Sequence, residues 1–373
     1  MSAGVRHLYV HLPFCAHRCG YCDFVTLVGR HELHGTYVDA VLRELELEAG
    51  LLADNGVETV YVGGGTPTFT EPEALARLLD ALPAAAEVTV EANPETVTPQ
   101  LGAFLREAGV NRVSLGAQSF DTGLLRVLER RAGPAVVRRA FYHLRDAFFD
   151  NISLDLIYGI PGQSPARLQR DLAEALSLGP EHLSCYELEA KPGTRFTHAW
   201  GEELSRQSEA MEGYFELVVE TLVGAGYRWY ETANFCRDGR QARHNLAYWH
   251  GRDYLGVGIG AVSTVGERRW RNSPKLGAYV DALAAGKRPP REVEDLDQRT
   301  KLVERVMLGL RLDEPLRYGD VEAAVDQGAL ERLQRLGLVL FGDGRLTLTN
   351  AGRFLGGGVT AELIYEIPAK RYN

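Results

Sequence analysis

The stretch Cys15-Ala16-His17-Arg18-Cys19-Gly20-Tyr21-Cys22 has three cysteines at the spacing C-x3-C-x2-C. It follows an apolar segment, residues 5–12, that predicts a buried strand. Three thiolates on one short loop can bind three corners of a [4Fe–4S] cluster. No fourth cysteine is near, so the fourth iron would stay open to another ligand, as a catalytic metal requires.

A zinc site is the alternative interpretation of this loop. Zinc would need a fourth ligand, and His11 or His17 could supply it. The other cysteines, Cys185 and Cys236, lie far away in sequence and predict packing thiols. The position of the loop after the first strand of an α/β series favours the iron–sulfur cluster.

Residues 1–226 alternate short apolar segments with amphipathic ones, a pattern of strands and helices. Six such units in series predict a parallel sheet with right-handed crossovers. A partial barrel, a closed eight-unit barrel and a flat doubly wound sheet all share this alternation. In each of them, function is expected at the C-terminal ends of the strands.

Polar residues stand at several predicted strand ends. Residues 63–66 form a glycine run whose backbone amides can approach a ligand and hold a carboxylate. Glu91 and Gln118 end the third and fourth strands, and Glu91 can accept a hydrogen bond from an amine or a ribose hydroxyl. Asp155 lies in an apolar strand, so it should meet a ligand or the guanidinium of Arg130.

The composition indicates a soluble globular protein of 373 residues, 45% hydrophobic and 24% charged. Fifty acidic residues against 41 basic ones give a net charge of −9, which argues against a nucleic-acid partner. No apolar run is long enough for a membrane span, and the first residues show no secretory signal. We therefore expect a cytoplasmic protein with reduced thiols.

The pattern changes after residue 226. Residues 227–291 predict an extension beside the barrel and a linker. Residues 292–373 predict a C-terminal domain with helices at 300–310, 318–325 and 329–336 and a hairpin through Gly342-Asp343-Gly344. Three helices and a two-stranded wing predict a small winged-helix-like domain.

A cysteine loop of this spacing that includes an aromatic residue resembles the radical S-adenosylmethionine superfamily, whose fold is a partial barrel of six βα units. The whole chain is similar to the oxygen-independent coproporphyrinogen oxidase family, and within it to the HemW-type branch of haem chaperones. The motifs that carry this resemblance are Tyr9-Val10-His11-Leu12-Pro13-Phe14-Cys15, Gly63-Gly64-Gly65-Thr66-Pro67-Thr68, Glu91-Ala92-Asn93-Pro94, Gln118-Ser119-Phe120, Asn151-Ile152-Ser153-Leu154-Asp155-Leu156, Gly159-Ile160-Pro161-Gly162-Gln163 and His244-Asn245-Leu246-Ala247-Tyr248-Trp249.

The resemblance implies a set of site residues. Cys15, Cys19 and Cys22 would bind the cluster, and His244 would contact haem. The S-adenosylmethionine site would comprise Tyr9, Tyr21, Gly64, Gly65, Thr66, Glu91, Gln118, Arg130 and Asp155. The implied partners are haem as cargo, respiratory haemoproteins as its recipients, and flavodoxin or ferredoxin as electron donor if the protein is catalytic.

The resemblance leaves three activities open. The first is the porphyrinogen decarboxylase, which has a fourth cysteine two positions after the third, where this chain has Phe24. The second is the haem chaperone, in which cleavage of S-adenosylmethionine would be vestigial or regulatory. The third is a HemN-like methyltransferase or cyclopropane-forming enzyme. Phe24 and the short segment before Tyr9 favour the chaperone, while Ala132 and Lys191 depart from the family pattern.

Overall fold

The structure is a computed structural model that describes residues 4–189, 191, 194–207 and 210–364. Its strands are β1 (His7–Leu12), β2 (Phe14–Cys15), β3 (Leu27–Val28), β4 (Val57–Gly64), β5 (Ala85–Ala92), β6 (Arg112–Gln118), β7 (Ile152–Tyr158), β8 (His182–Glu187), β9 (Arg228–Trp229), β10 (Asn234–Cys236), β11 (Leu255–Val257), β12 (Val262–Val265), β13 (Arg268–Asn272), β14 (Arg291–Asp295), β15 (Leu316–Arg317), β16 (Val339–Gly342) and β17 (Arg345–Leu348). Its helices are α1 (His31–Glu48), α2 (Pro72–Ala81), α3 (Pro99–Glu107), α4 (Thr122–Val127), α5 (Pro134–Asp146), α6 (Pro165–Leu178), α7 (Arg195–Gln207), α8 (Met211–Gly224), α9 (Arg243–Trp249), α10 (Leu276–Ala284), α11 (Gln298–Gly309), α12 (Gln327–Arg335), α13 (Asn350–Phe354) and α14 (Gly356–Leu363).

The main sheet has nine strands in the order β11-β1-β4-β5-β6-β7-β8-β10-β9. The strands from β11 to β8 run parallel, whereas β10 and β9 are antiparallel to their neighbours. Six of the parallel strands are followed by helices, so the predicted series of six units is confirmed. The edge strands β11 and β9 do not pair with each other in the described chain, which makes the barrel partial rather than closed.

The two faces of this sheet differ in polarity. Outward rows such as Val10, Val62, Val90, Val113 and Ile152 are aligned by the strand register and fully buried under the helices. The inward rows are polar and include Tyr9, Tyr61, Thr89 and Arg112, then Glu91, Ser114 and Ser153. Because parallel sheets usually bury apolar residues on both faces, a polar interior indicates a binding site.

Helix α9 covers the N-terminal end of the barrel strands. The backbone N–H groups of Arg243 and His244, in its first turn, donate to the Glu87 carboxylate at 3.1 and 3.0 Å. A carboxylate at a helix N-terminus satisfies amides that have no partner within the helix. After α9 come β11, at the edge of the main sheet, and a three-stranded antiparallel sheet of β12, β13 and β14.

A small antiparallel sheet, β15-β17-β16, packs with α11, α12 and α14 around a second apolar core drawn from residues 303–363. The predicted hairpin is confirmed, because Asp343 and Gly344 join β16 and β17 with φ values of 51° and 69°. The predicted helix at 318–325 is wrong: two single 3-10 turns stand there, separated by Val321 at φ −134°.

The alternating pattern of residues 1–226 predicts its last helix over residues 208–225. The first two of these residues lie outside the described ones and α8 confirms the rest, whereas α7 was not predicted. The domain boundaries placed after residues 226 and 291 stay a prediction. In the described part of the chain, no helix combines the length and the apolar character that crossing a bilayer requires.

Candidate cofactor site at the strand ends

The cysteine loop is held at both of its ends by a short sheet. Strand β2, which includes Cys15, pairs in parallel with β3 beyond the loop. Within the loop, the amide of Cys22 donates to the carbonyl of Cys19 at 3.2 Å. Cys15 is buried, and Cys19 and Cys22 are half-buried. Burial raises the pKa of the Cys15 thiol to about 11, so binding a metal there would displace a proton.

The positions of the loop's ligand atoms bear on the zinc alternative. Two sulfur ligands of one zinc ion lie at most about 4.6 Å apart, twice the Zn–S distance. Among the described residues, no three of the loop's cysteine and histidine ligand atoms lie within 4.8 Å of one another. His11 is also occupied, since its two ring nitrogens contact Tyr9 and the carbonyl of Val25. Within the described residues, the loop therefore does not form a preorganised site for a single zinc ion.

The loop borders a cavity of about 470 Å³ at the C-terminal ends of the barrel strands, which we call the central cavity. Nearly all of the residues predicted for the cofactors line it. They are Cys15, Cys19, Tyr21, Cys22, Gly64, Gly65, Thr66, Glu91, Gln118, Arg130 and Asp155. These residues therefore line one common cavity, and their contacts with the cofactors stay a prediction.

A hydrogen-bonded chain of side chains connects two of the three cysteines. Thr66 Oγ1 donates to Cys15 Sγ at 3.5 Å and accepts from Asn93 Nδ2 at 2.7 Å. Asn93 Oδ1 in turn accepts from Arg130 Nη2 at 2.8 Å, and Arg130 Nη1 donates to Cys19 Sγ at 3.7 Å. Asn93 was part of a quoted motif but had no predicted role, because its two contacts depend on the packing of separate strands.

The glycine run does not offer free amides to a ligand, contrary to the expectation from the sequence. The N–H of Gly64 donates to Glu91 Oε2 at 3.0 Å, that of Gly65 to the carbonyl of Leu12, and that of Thr66 to the carbonyl of Phe14. The need for glycine is steric. A Cβ on Gly64, whose φ is +115°, would lie 2.5 Å from the His11 ring.

The two buried carboxylates of the cavity have neutral donors as partners. Glu91 accepts from Tyr61 at 2.8 Å, and Asp155 accepts from Ser114 at 3.0 and 3.1 Å. Burial raises the pKa of both carboxyls above the ordinary value. The predicted pairing of Asp155 with Arg130 is wrong, because Arg130 is held instead by Asn93, the carbonyl of Gly116 and Cys19.

Arg112 is the charged residue that the sequence interpretation missed. It is 2% exposed and lines the central cavity, and its Nε has no hydrogen-bond partner among the described residues. It is close enough to Glu91 and Asp155 to lower the pKa values of these carboxyls against the larger effect of burial. An arginine inside a strand of mostly apolar residues was the available signal, since a buried charge demands a partner.

Gln118 occupies a strained position at the rim. Its φ is +65°, and the register of β6 with β7 shifts between Gly116 and Gln118. Bulges of this kind redirect a side chain at the edge of a sheet and are common next to active sites. The bulge places Gln118 on the wall of the central cavity.

Tyr9 and His244 are not on the wall of the central cavity. Tyr9 contacts His11 Nδ1 at 3.0 Å and stacks on Tyr61. His244 is buried under the barrel strands, and its ring nitrogens contact Thr59 Oγ1 and Tyr248 Oη, both at 2.8 Å. The haem contact of His244 stays a prediction, and ligation of iron would require one of these hydrogen bonds to break.

Comparison with known proteins identifies the family. The model of the Radical SAM superfamily matches residues 9–175, and that of the HemN C-terminal domain matches residues 296–355. The protein from Mycobacterium tuberculosis named heme chaperone HemW is 38% identical over 369 residues, which cover 96% of this chain and 94% of that protein. The chain belongs to the HemW family. The heme chaperone HemW of Bacillus subtilis is 33% identical and covers 97% of this chain and 100% of its own length.

The coproporphyrinogen III oxidase HemN from Escherichia coli, a radical SAM enzyme, has a similar structure. Its TM-score to this HemW-family chain is 0.81 at 25% identity, covering 95% of this chain and 89% of that one. Phe24, at the position where the resemblance expects a cysteine in the decarboxylase, is 63% exposed beside the cysteine loop. It lines the central cavity.

The described residues hold a single group of three histidine or carboxylate side chains spaced for a metal ion, formed by His31, His34 and Glu71. The ring nitrogens of His34 are both in use, because Nδ1 accepts from the amide of Glu71 at 3.0 Å and Nε2 donates to the carbonyl of Gly29 at 3.2 Å. This group therefore joins the starts of α1 and α2 and has no free imidazole for a metal ion at His34.

Proposed function

We propose that this HemW-family chain is a haem chaperone that also binds a [4Fe–4S] cluster and S-adenosylmethionine and passes haem to respiratory haemoproteins in the cytoplasm. The observation that carries the proposal is similarity over nearly the whole chain to proteins named heme chaperone HemW, at 38% identity in Mycobacterium tuberculosis. Similarity of this extent includes the cysteine loop, the barrel and the C-terminal domain together.

Cys15, Cys19 and Cys22 would hold the cluster. Three soft sulfur ligands on one loop suit iron and sulfide. The donors around them also fit a cluster with bound thiolates. Thr66 and Arg130 already point hydrogen-bond donors at two of the three sulfurs.

The charges of the central cavity match those of S-adenosylmethionine. Glu91 and Asp155 can accept from its amine and ribose hydroxyls, and Arg130 can bind its carboxylate. The buried atoms Arg130 Nε, Arg112 Nε and Thr26 Oγ1 have no partner among the described residues and can hydrogen-bond a ligand. Tyr21, Gly64, Gly65, Thr66 and Gln118 would complete the wall. When bound, cluster and cofactor supply one-electron chemistry at the sulfonium.

A second candidate is oxygen-independent decarboxylation of coproporphyrinogen III. The structural similarity to HemN supports it, with a TM-score of 0.81 over 95% of this chain. We favour the chaperone because Phe24 replaces the cysteine that the resemblance assigns to the decarboxylase. If the protein is catalytic, flavodoxin or ferredoxin would supply the electron. Methyltransferase or cyclopropane-forming chemistry stays a prediction.

An anaerobic assay separates the two candidates. The reconstituted chain would be incubated with S-adenosylmethionine, a reductant and coproporphyrinogen III, and the porphyrins would be separated after oxidation. We expect no decarboxylated product and no substrate-dependent 5′-deoxyadenosine. Catalytic decarboxylation over repeated turnovers would refute the chaperone and establish the enzyme. The Phe24→Cys variant serves as a comparison, since a gain of activity there would show that this position restricts the chemistry.

A further inference from the structure

A second and larger cavity lies beside the barrel. Its volume is about 930 Å³, near the upper end of the roughly 300–1,000 Å³ found for small-molecule sites. Its walls come from β1, from the segment around the end of α9, from β12 and β13, and from α11 of the C-terminal part of the chain. We call it the lateral cavity. No residue predicted for the cluster, and only Tyr9 of those predicted for S-adenosylmethionine, lines it.

The lateral cavity adjoins the central one at the cysteine loop. Asp23 and Phe24, directly after Cys22, line both cavities. A ligand in the lateral cavity would therefore sit next to the cluster site and contact the position that distinguishes this chain from the decarboxylase in the resemblance.

One part of the wall is apolar and aromatic. Phe24 and Met307 are 63% and 50% exposed, and they line the cavity together with Trp249 and Tyr254. The indole N–H of Trp249 is buried and has no hydrogen-bond partner in the described part of the chain. A flat aromatic ligand with acceptor groups would cover these surfaces and satisfy that donor.

Another part of the wall carries positive charge. Arg269 is paired with Glu304 at 2.7 Å, and Arg252 lies 3.5 Å from Glu58, a carboxylate that also pairs with Arg6 at 2.7 Å. Arg271 and Lys301 line the same cavity and have no ion-pair partner in the described ranges.

Arg305 adds a third cation that is only partly balanced. Its guanidinium donates to the carbonyl of Trp249 at 3.3 Å, and Asp320 is the acid near it. Burial lowers the pKa of Arg305, and Asp320, which lines the same cavity, acts in the opposite direction. Three cations around an apolar wall suit a ligand that combines a large apolar body with carboxylates.

We propose that the lateral cavity is the haem site, with the porphyrin ring against Phe24, Trp249 and Met307 and the two propionates facing Arg271, Lys301 and Arg305. The inference rests on the proposed function, because it names the site at which the proposed cargo is held. It differs from the expectation that His244 itself contacts the haem.

His244 can contribute to haem binding in the lateral cavity without ligating the iron. His244 Nε2 hydrogen-bonds Tyr248 Oη at 2.8 Å, and Tyr248 lines the lateral cavity next to Trp249. His244 is thus a positioning residue for this wall. A substitution of His244 that removes the hydrogen bond would release Tyr248 and weaken haem binding. His244→Gln, which can keep the hydrogen bond, would retain part of the affinity for haem.

The test uses the full chain and two probes, haem and its dimethyl ester, which lacks the propionate charges. The test variant combines Arg271→Glu with Lys301→Glu, and so reverses the charge of the two exposed cations that have no ion-pair partner among the described residues. The control reverses two exposed cations that line neither cavity, Lys287→Glu with Arg345→Glu. Cluster reconstitution and circular dichroism verify that each variant is folded, and the milder Arg271→Gln with Lys301→Gln replaces any variant that is not.

We expect the double reversal to weaken haem binding by about tenfold, because two charge pairs are lost and repulsion replaces them. Esterification should weaken binding to the parent and to the control by a similar factor, and should not weaken binding to the variant. Equal haem affinities of variant, control and parent would overturn the lateral site while leaving the chaperone in place. Absence of haem binding to the parent would instead refute the proposed function.

Discussion

Removing Asn93 tests the hydrogen-bonded chain between Cys15 and Cys19. The Asn93→Ala variant loses a bond to Thr66 and a charge-assisted bond to Arg130, at 2.7 and 2.8 Å. The two losses together should lower the free energy of unfolding by about 2–4 kcal/mol. We would measure this by urea denaturation of the cluster-free chain under reducing conditions.

The same change should shift the midpoint potential of the reconstituted cluster. Donors aimed at cysteine sulfurs stabilise the reduced, more negative state, so loosening Thr66 and Arg130 should make the potential more negative. Each 1 kcal/mol by which the reduced cluster loses stabilisation relative to the oxidised cluster corresponds to about 40 mV for a one-electron couple. We expect a shift of a few tens of millivolts, measured by a redox titration followed with electron paramagnetic resonance.

A matched control separates this effect from loss of stability. Asn111 also makes two amide hydrogen bonds, with the amide of Val88 at 2.9 Å and the carbonyl of Ala86 at 3.0 Å, and it does not line the central cavity. Asn111→Ala should therefore destabilise the chain without moving the potential. Equal potentials for the two variants would refute the role assigned to Asn93.

Three further predictions concern stability. Gly64→Ala should cost at least about 2 kcal/mol by thermal or urea unfolding, because its φ is +115° and a Cβ meets a histidine ring at 2.5 Å; Gly56→Ala, with φ +98° and open space, should cost clearly less, and equal losses would contradict the steric explanation. Asp121→Asn should cost about 1–2 kcal/mol at neutral pH, because Arg167 holds the pKa of the Asp121 carboxyl down at about 2. The contribution of the Asp121–Arg167 pair to the free energy of unfolding is present above the ordinary Asp pKa of 3.8 and is lost as the pH falls through about 2. A difference in stability between Asp121→Asn and the parent that persists at pH 2 would contradict the pairing. Burial lowers the pKa of His244 to about 3, so the unfolded chain takes up its proton first and stability falls as the pH drops below 6.5. Between pH 6.5 and about 4.5, the free energy of unfolding of His244→Gln should fall by about 2 kcal/mol less than that of the parent. Identical dependence of the two free energies on pH would show that the His244 ring is accessible to protons in the folded chain.

The sequence predicted the parts of the fold that local patterns determine. The six strand–helix units follow from periodicity, and the C-terminal hairpin follows from Asp343 and Gly344, which tolerate positive φ. The helix at 318–325 failed because its apolar spacing also suits two short turns, which bury Tyr318 and Ala324. The choice of a partial barrel came from the resemblance, since alternation alone also fits a closed barrel.

The candidate site was predicted as a list of residues but not as a set of contacts. Glu91 and Asp155 were placed on the wall correctly, yet the partner of Asp155 is Ser114 rather than Arg130. That outcome depends on strand register, which puts Gly116 opposite Asp155, and on the segment between α4 and α5, which brings Arg130 to Cys19. Arg112 was missed because its inward direction becomes apparent only when the strand is paired with its neighbours.

An anaerobic haem titration of the reconstituted protein, followed by difference absorbance, is the decisive measurement of whether this chain binds haem as cargo. We expect a Soret shift that saturates at one haem per chain while the absorbance of the cluster persists. No Soret shift, or a shift that grows without saturation, would contradict it.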